Sequence, residues 1–110
     1  MHFIPSEATG WRRHPDWAGV WLRERLSTAA AGGCSALEVH LEPGATIRPH
    51  RHPGRREWHY VLDGGGECRR ESGIQPYSPG AAGLMGENEE HDVTAGPEGL
   101  SLLAVFVPGL

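Results

Sequence analysis

Glycine and proline punctuate this chain so densely that they decide what it can fold into. Sixteen Gly and nine Pro fill 25 of its 110 positions. Proline removes a backbone donor and glycine weakens a helix interior, so a helix bundle is excluded. Apolar residues make up 38% and charged residues 22%, near globular averages, so the chain can still bury a core. Short elements joined by tight turns are what remains. A chain of 110 residues is the right size for one such core, and residues 1–110 are read as a single domain.

The apolar pattern between the turns is that of strands. Residues 19–26 (GVWLRERL) alternate imperfectly and are read as a strand rather than a helical turn. Residues 28–33 (TAAAGG) are read as a small-residue connector. In 35–42, Leu37, Val39 and Leu41 alternate with Glu38, His40 and Glu42, a two-faced strand ended by Pro43-Gly44. Residues 46–52 follow as an extended run, because Pro49 and Pro53 forbid a regular helix. Residues 57–63 (EWHYVLD) read as a strand that stops at a turn made by Gly64-Gly65-Gly66, with 67–70 returning from it. Short strands are expected at 74–77, 81–85 and 91–95. Gly96-Pro97-Glu98-Gly99 reads as a turn before a closing buried strand at 100–107 (LSLLAVFV). The pattern predicts an all-β, antiparallel sandwich or barrel.

Charge narrows the partners. The ten basic residues are all Arg, against 14 acidic ones, for a net charge of −4. That balance argues against a dedicated nucleic-acid binder, and the pairs Arg12–Arg13, Arg55-Arg56 and Arg69-Arg70 are read as solvated faces. Cys34 and Cys68 are too few for a disulfide scaffold and are read as buried or half-buried thiols. No apolar run is long enough to cross a membrane, and no basic region with an apolar stretch opens the chain, so a cytoplasmic protein is expected. Nucleophile elbows, Cys-x-x-Cys pairs, phosphate loops and His-Glu-x-x-His helices are all missing.

Histidine carries the chemistry. Among seven histidines, His50 and His52 stand two apart on an extended segment. Such side chains leave the same face roughly 6.6 Å apart at the backbone. Both imidazoles can then reach one ion at about 2.0–2.2 Å. On its own the pair fits two surface histidines equally well. The surrounding spacing tips the balance: Gly44 precedes His50 by six positions, Glu57 follows His52 by five, and Gly64 follows Glu57 by seven. A chance match to the whole pattern is roughly one in a thousand. Gly44 turns into the first strand, residues 53–56 reverse it, and Glu57 returns on the neighbouring strand with its carboxylate toward the same ion. Gly64 is expected to close the second hairpin.

Strand parity names further candidates. His59 and Val61 share the face of Glu57, whereas Trp58 and Tyr60 face the other way. His59 is thus the catalytic candidate: a general base, a hydrogen-bonding neighbour of the ligands, or a packed interior histidine. Arg48, on the face of His50 and His52, could hold a substrate carboxylate or lie in water at the rim. His40 shares a face with Glu38 and is a candidate to support the ligands or contact substrate. Tyr77 is read as packing before substrate contact. Trp11, Trp17 and Trp21 are read as core or dimer-contact residues, with ligand stacking the minor reading.

The stretch 44–64 (GATIRPHRHPGRREWHYVLDG) resembles the first motif of the cupin superfamily at its Gly, two His, Glu and final Gly. Residues 73–91 (GIQPYSPGAAGLMGENEEH) resemble the second motif, with a Gly, a Tyr, a Pro-Gly turn and a terminal His. The resemblance implies a small single-domain cupin, an antiparallel double-sheet jelly-roll barrel, and makes His91 the fourth ligand beside His50, His52 and Glu57. Three imidazoles and one carboxylate leave two adjacent octahedral positions open. They suit one divalent transition metal: Fe, Mn, Ni, Co or Zn. The departures are Ala81, where cupins often have Asp; Gly86-Glu87, where many have Pro-Pro; and Ala95, where an older form of the motif has Asn. None is a ligand position, but a softer loop beside His91 is expected.

Cupins include dioxygenases, decarboxylases, isomerases, cyclases, lyases, sugar-binding regulators and storage proteins, so the fold implies a metal pocket and little about substrate. The expectation is a metal-dependent enzyme acting on a compact polar or anionic small molecule. The metal would serve as Lewis acid, oxygen-binding centre or both, and His59 would move the proton. The alternative is a non-catalytic module that binds metal and a small ligand. Residues 88–91 and 100–110 also resemble ectoine synthases, cupins that cyclise a small polar amine; that likeness bears on size class alone. Neither nucleic acid nor membrane is an expected partner. A homodimer is expected, because outward aromatics such as Trp58 and Tyr60 need cover.

Overall fold

Turn signals and alternating apolar residues produce eight strands and one turn of helix in the computed structural model, which describes residues 1–110. In chain order these are β1 (Arg12–Arg13), β2 (Val20–Leu26), α1 (Thr28–Ala31), β3 (Ser35–Leu41), β4 (Thr46–His50), β5 (Arg56–Arg70), β6 (Gly73–Tyr77), β7 (Ala82–Met85) and β8 (His91–Val107). Every strand pair is antiparallel, as the sequence predicts. The connector at 28–33 contains the helical turn. Its start is capped by Ser27, whose hydroxyl accepts from the Ala30 N–H at 3.1 Å, and Gly32 ends it in the left-handed conformation.

Two expected turns are not turns. β5 runs unbroken through Gly64-Gly65-Gly66, and β8 runs unbroken through residues 96–99. Each long strand bends at its glycines and serves two layers. In one layer, residues 57–64 of β5 pair with residues 100–106 of β8 and with β7, and β8 continues into β3, β2 and β1. In the other, residues 66–70 of β5 pair with 91–95 of β8, flanked by β6 and β4. Glycine is required at this corner because the two backbones nearly touch. A Cβ on Gly64 would collide with the Gly99 carbonyl, and one on Gly66 with the Thr94 carbonyl. Gly64 and Gly99 also hold positive φ angles of 77° and 79°.

The core lies between the layers. Leu41, Val61, Met85, Val93, Leu100 and Leu102 are fully buried, drawn from both layers. On β3 the inward side chains are Leu37, Val39 and Leu41, and they pack with this cluster. Cys68 is buried in it as a free thiol, and Cys34 is half-buried and free. No helix is long and apolar enough to cross a membrane.

Candidate metal centre

The four ligand candidates reach one point from separate parts of the chain. His50 ends β4 and pairs directly across the ladder with His91, which opens β8. His52 lies in the loop after β4, and Glu57 is the second residue of β5. One ring nitrogen from each histidine and one carboxylate oxygen of Glu57 all lie within 4.8 Å of one another. Glu57 Oε1 is 3.0 Å from His91 Nε2 and 3.3 Å from His52 Nε2. The loop before His91 is tied down: Asn88 N–H donates to the His52 carbonyl at 3.2 Å, and Glu89 accepts from Gly86 N–H at 2.9 Å.

Backbone carbonyls orient two of the rings. His50 Nδ1 donates to the Arg48 carbonyl at 2.8 Å, and His91 Nδ1 donates to the Glu89 carbonyl at 3.0 Å. A neutral ring held this way turns its Nε2 lone pair inward, as histidine ligands of metals usually do. For His91 that lone pair faces a carboxylate oxygen, acceptor against acceptor, so a cation belongs between them. A proton can fill the gap: burial lowers the His91 pKa, but the bonds to Glu57 and to the Glu89 carbonyl, with the negative charges of both residues, together outweigh it and the net shift is upward. Burial would raise the Glu57 carboxyl, yet hydrogen bonds from His52, His59 and His91 hold it far below the ordinary carboxylate range. Burial also lowers His50, which keeps that ring neutral. A permanent anion among imidazoles with inward lone pairs is the donor set a divalent transition metal requires, and these residues fit one.

His59 turns inward as its parity predicts and is 2% exposed. Its Nε2 lies 2.7 Å from Glu57 Oε2 and its Nδ1 lies 2.8 Å from the Tyr77 hydroxyl. Because a carboxylate only accepts, Nε2 carries the ring proton and Nδ1 accepts from Tyr77. Burial raises the Tyr77 pKa well above its ordinary value, so the phenol keeps the proton it donates. Tyr77 is thus buried behind His59 and is absent from the walls of the cavity beside the ligands.

Two of the other candidates lie elsewhere. A bulge between Ile47 and His50 inserts an extra residue in β4. Ile47 and His50 both point inward as a result, and Arg48 is exposed, off the face of the ligands. The expected sharing of a face fails because simple alternation does not survive a bulge. His40 lies opposite the inward Leu37, Val39 and Leu41, so the alternation of β3 carries it to the outer face. There its Nδ1 meets Ser101 Oγ at 2.9 Å and its ring meets the edge of Trp11.

The cavity beside the ligands has a volume of about 300 Å³. Its walls are mainly apolar, including Leu22, Leu37, Val39, Ile47 and Phe106, and three of the ligand residues, His50, His52 and Glu57, form a polar side together with His59. The sequence assigns His14 no role and reads Trp17 as a core or dimer-contact residue, with ligand stacking the minor reading, yet both line it. The two rings stack with centroids 4.1 Å apart, and Trp17 lies 5.3 Å from the His50 ring. The segment is folded back by the His14 N–H bond to the Val20 carbonyl at 2.8 Å. No spacing rule connects residue 14 to residue 50; the only local signal was an aromatic pair around Pro15-Asp16.

Solved structures share this architecture. KdgF from Halomonas sp. superposes with a TM-score of 0.86 at 23% identity, over 98% of this chain and 94% of its own. A predicted oxalate decarboxylase from Thermotoga maritima gives 0.87 at 24% identity, over 97% and 99%. Ectoine synthase from P. lautus gives 0.75 at 24% identity, over 84% and 66%. Likeness at these identities is one of fold. No curated protein sequence matches the chain. The family model for the cupin domain matches residues 37–106, which contain all four ligand candidates, and the chain therefore belongs to the cupin-domain family.

Proposed function

We propose that this protein is a divalent-metal-dependent enzyme acting on a compact polar or anionic small molecule. One observation carries the reading: His50, His52, Glu57 and His91 bring four donor atoms within 4.8 Å of one another. The names of two similar structures, a predicted oxalate decarboxylase and an ectoine synthase, support an enzyme. A bound ion would supply Lewis acidity, an oxygen-binding position, or both. Glu57 contributes the fixed negative charge, and His59 holds that carboxylate in place. The apolar walls bury the body of the substrate and keep water away from its polar end. The protein works as a cytoplasmic homodimer, with the apolar strip around Trp58, Tyr60 and Leu84 covered by the second copy.

A second reading, a binding module without turnover, is favoured by His59. Both of its ring nitrogens are engaged, so the expected base has no free lone pair. Elemental analysis of protein supplied with Fe, Mn, Ni, Co or Zn, followed by oxygen-uptake and small-molecule turnover panels, tests both. About one metal per chain with turnover supports the enzyme. Metal without turnover favours the module, and no stoichiometric metal overturns both.

A further inference from the structure

The mouth of the cavity carries a charge that the metal centre does not use. Arg12 is the one cation among the residues lining the cavity. Its place follows from the β1–β2 register: Arg12 pairs with Leu22, another lining residue, whereas Arg13 pairs with Trp21 on the opposite face. Arg13 is accounted for there, its guanidinium lying 4.9 Å from the Trp21 ring centroid. The arginine–carboxylate ion pairs of the protein go to Arg23, Arg51, Arg69 and Arg70, and none to Arg12. A guanidinium presents a planar fork of donors that matches a carboxylate.

His14 adds a second donor. Its Nδ1 accepts from the Asp16 N–H at 3.1 Å, so the neutral ring carries its proton on Nε2. The one acidic side chain of the lining, Glu57, is already bonded to His59 and His91 and cannot satisfy Arg12. The cavity therefore has a cation-attracting donor cluster on one side, an unpaired guanidinium at its mouth, and apolar walls between them. At about 300 Å³ it lies at the small end of small-molecule sites.

We propose that Arg12 seats the carboxylate of a small ligand whose other polar end lies at the metal centre, so that the ligand class is a short organic acid with a second polar group and an apolar middle. This rests on the reading of His50, His52, Glu57 and His91 as metal ligands and adds the substrate class to it. Arg12 acts as a specificity residue, choosing anionic over neutral ligands of equal length.

Calorimetric titration of the metal-loaded protein tests it, using succinate against butyrate and glutarate against pentanoate. At least one diacid is expected to bind about tenfold tighter than its monoacid partner. Arg12→Gln should shrink that preference to about twofold or less, and Arg12→Lys should keep part of it. Arg13→Gln, which changes net charge equally from the opposite face, should leave it intact. No diacid preference in the unaltered protein, a preference that survives Arg12→Gln, or equal loss in Arg13→Gln would overturn the proposal.

Metal content is measured before and after each titration, so failure of the metal reading shows separately. If the chain takes up no metal, butyrate binding to the metal-free protein decides the matter for Arg12. A fall of about tenfold in Arg12→Gln supports the anion seat, and no change rejects it.

Discussion

His59 Nε2 lies 2.7 Å from Glu57 Oε2, and this bond leaves Glu57 Oε1 as the oxygen turned toward His52 and His91. The Tyr77 hydroxyl, 2.8 Å from Nδ1, keeps the ring proton on Nε2. Tyr77→Phe removes that donor without changing the shape of a side chain that is 5% exposed. It should lower stability by about 1 kcal/mol and weaken metal binding by roughly 10- to 100-fold. Chelator competition measures the second effect. Unchanged affinity would show that the Tyr77 bond does not steer Glu57.

His59→Ala separates positioning from proton transfer. A positioning role predicts weaker metal binding by roughly 10- to 100-fold, with turnover restored once the site is saturated with metal. A general-base role predicts the reverse: near-normal affinity and turnover about a hundredfold lower at saturation. Metal titrations and rates on the same preparation distinguish them.

The ligand assignment makes its own demand. His50→Ala, His52→Ala and His91→Ala should each release the metal, because each removes one bond to the ion. Glu57→Gln should weaken binding less, since an amide oxygen can still coordinate. Full metal occupancy in a His50→Ala/His52→Ala double variant would refute the assignment.

Acidity should act oppositely on the two forms of the protein. In the metal-free form burial lowers His91, but its bonds to Glu57 and the Glu89 carbonyl and the charges of those two residues together raise it above its ordinary 6.5. A histidine raised on folding contributes stability that is complete below the unfolded value and is lost as pH rises through the folded one. Burial holds His50 and His14 below 6.5, so their cost to stability fades as pH rises past that value and is largely gone about one unit above it. Metal-free protein should therefore melt at a lower temperature near pH 8.5 than near pH 7.5, where the lowered histidines no longer contribute. Metal needs a deprotonated Nε2, so its added stabilisation should grow over the same interval. Melting curves with zinc and with chelator check this; parallel slopes would contradict it.

The glycine corner can be tested without any ligand. Gly64→Ala and Gly66→Ala drive a Cβ into the Gly99 and Thr94 carbonyls and should destabilise the protein by about 2–4 kcal/mol. Gly33, with open space around it and no positive φ, should tolerate Ala within about 0.5 kcal/mol. Denaturant titrations of the three variants give the comparison.

The exposed strip around Trp58 and Leu84 predicts pairing. These two residues are cross-strand partners and are 37% and 55% exposed. The unaltered protein should scatter light as a dimer, and Trp58→Glu/Leu84→Glu should fall to a monomer of 11.9 kDa. A monomer before substitution would remove the strip as an interface.

What the sequence determined alone is what short-range geometry determines. Alternation with period two announced β3 and placed Glu57, His59 and Val61 on one buried face. The spacing of His50, His52 and Glu57 spans one reversal of the chain, and the likeness of residues 73–91 to a known motif brought in His91. The tertiary structure decided the rest. Gly64-Gly65-Gly66 reads as a turn in any sequence, and only the nearness of Gly99 and Thr94 makes it the corner of a continuous strand. The bulge before His50 reversed the parity that would have turned Arg48 inward, and it shows only in the pairing of β4 with β8. Arg12, His14 and Trp17 reach the cavity across more than thirty residues of intervening chain, a contact made by folding β1 and β2 against the rest of the barrel rather than by any local periodicity.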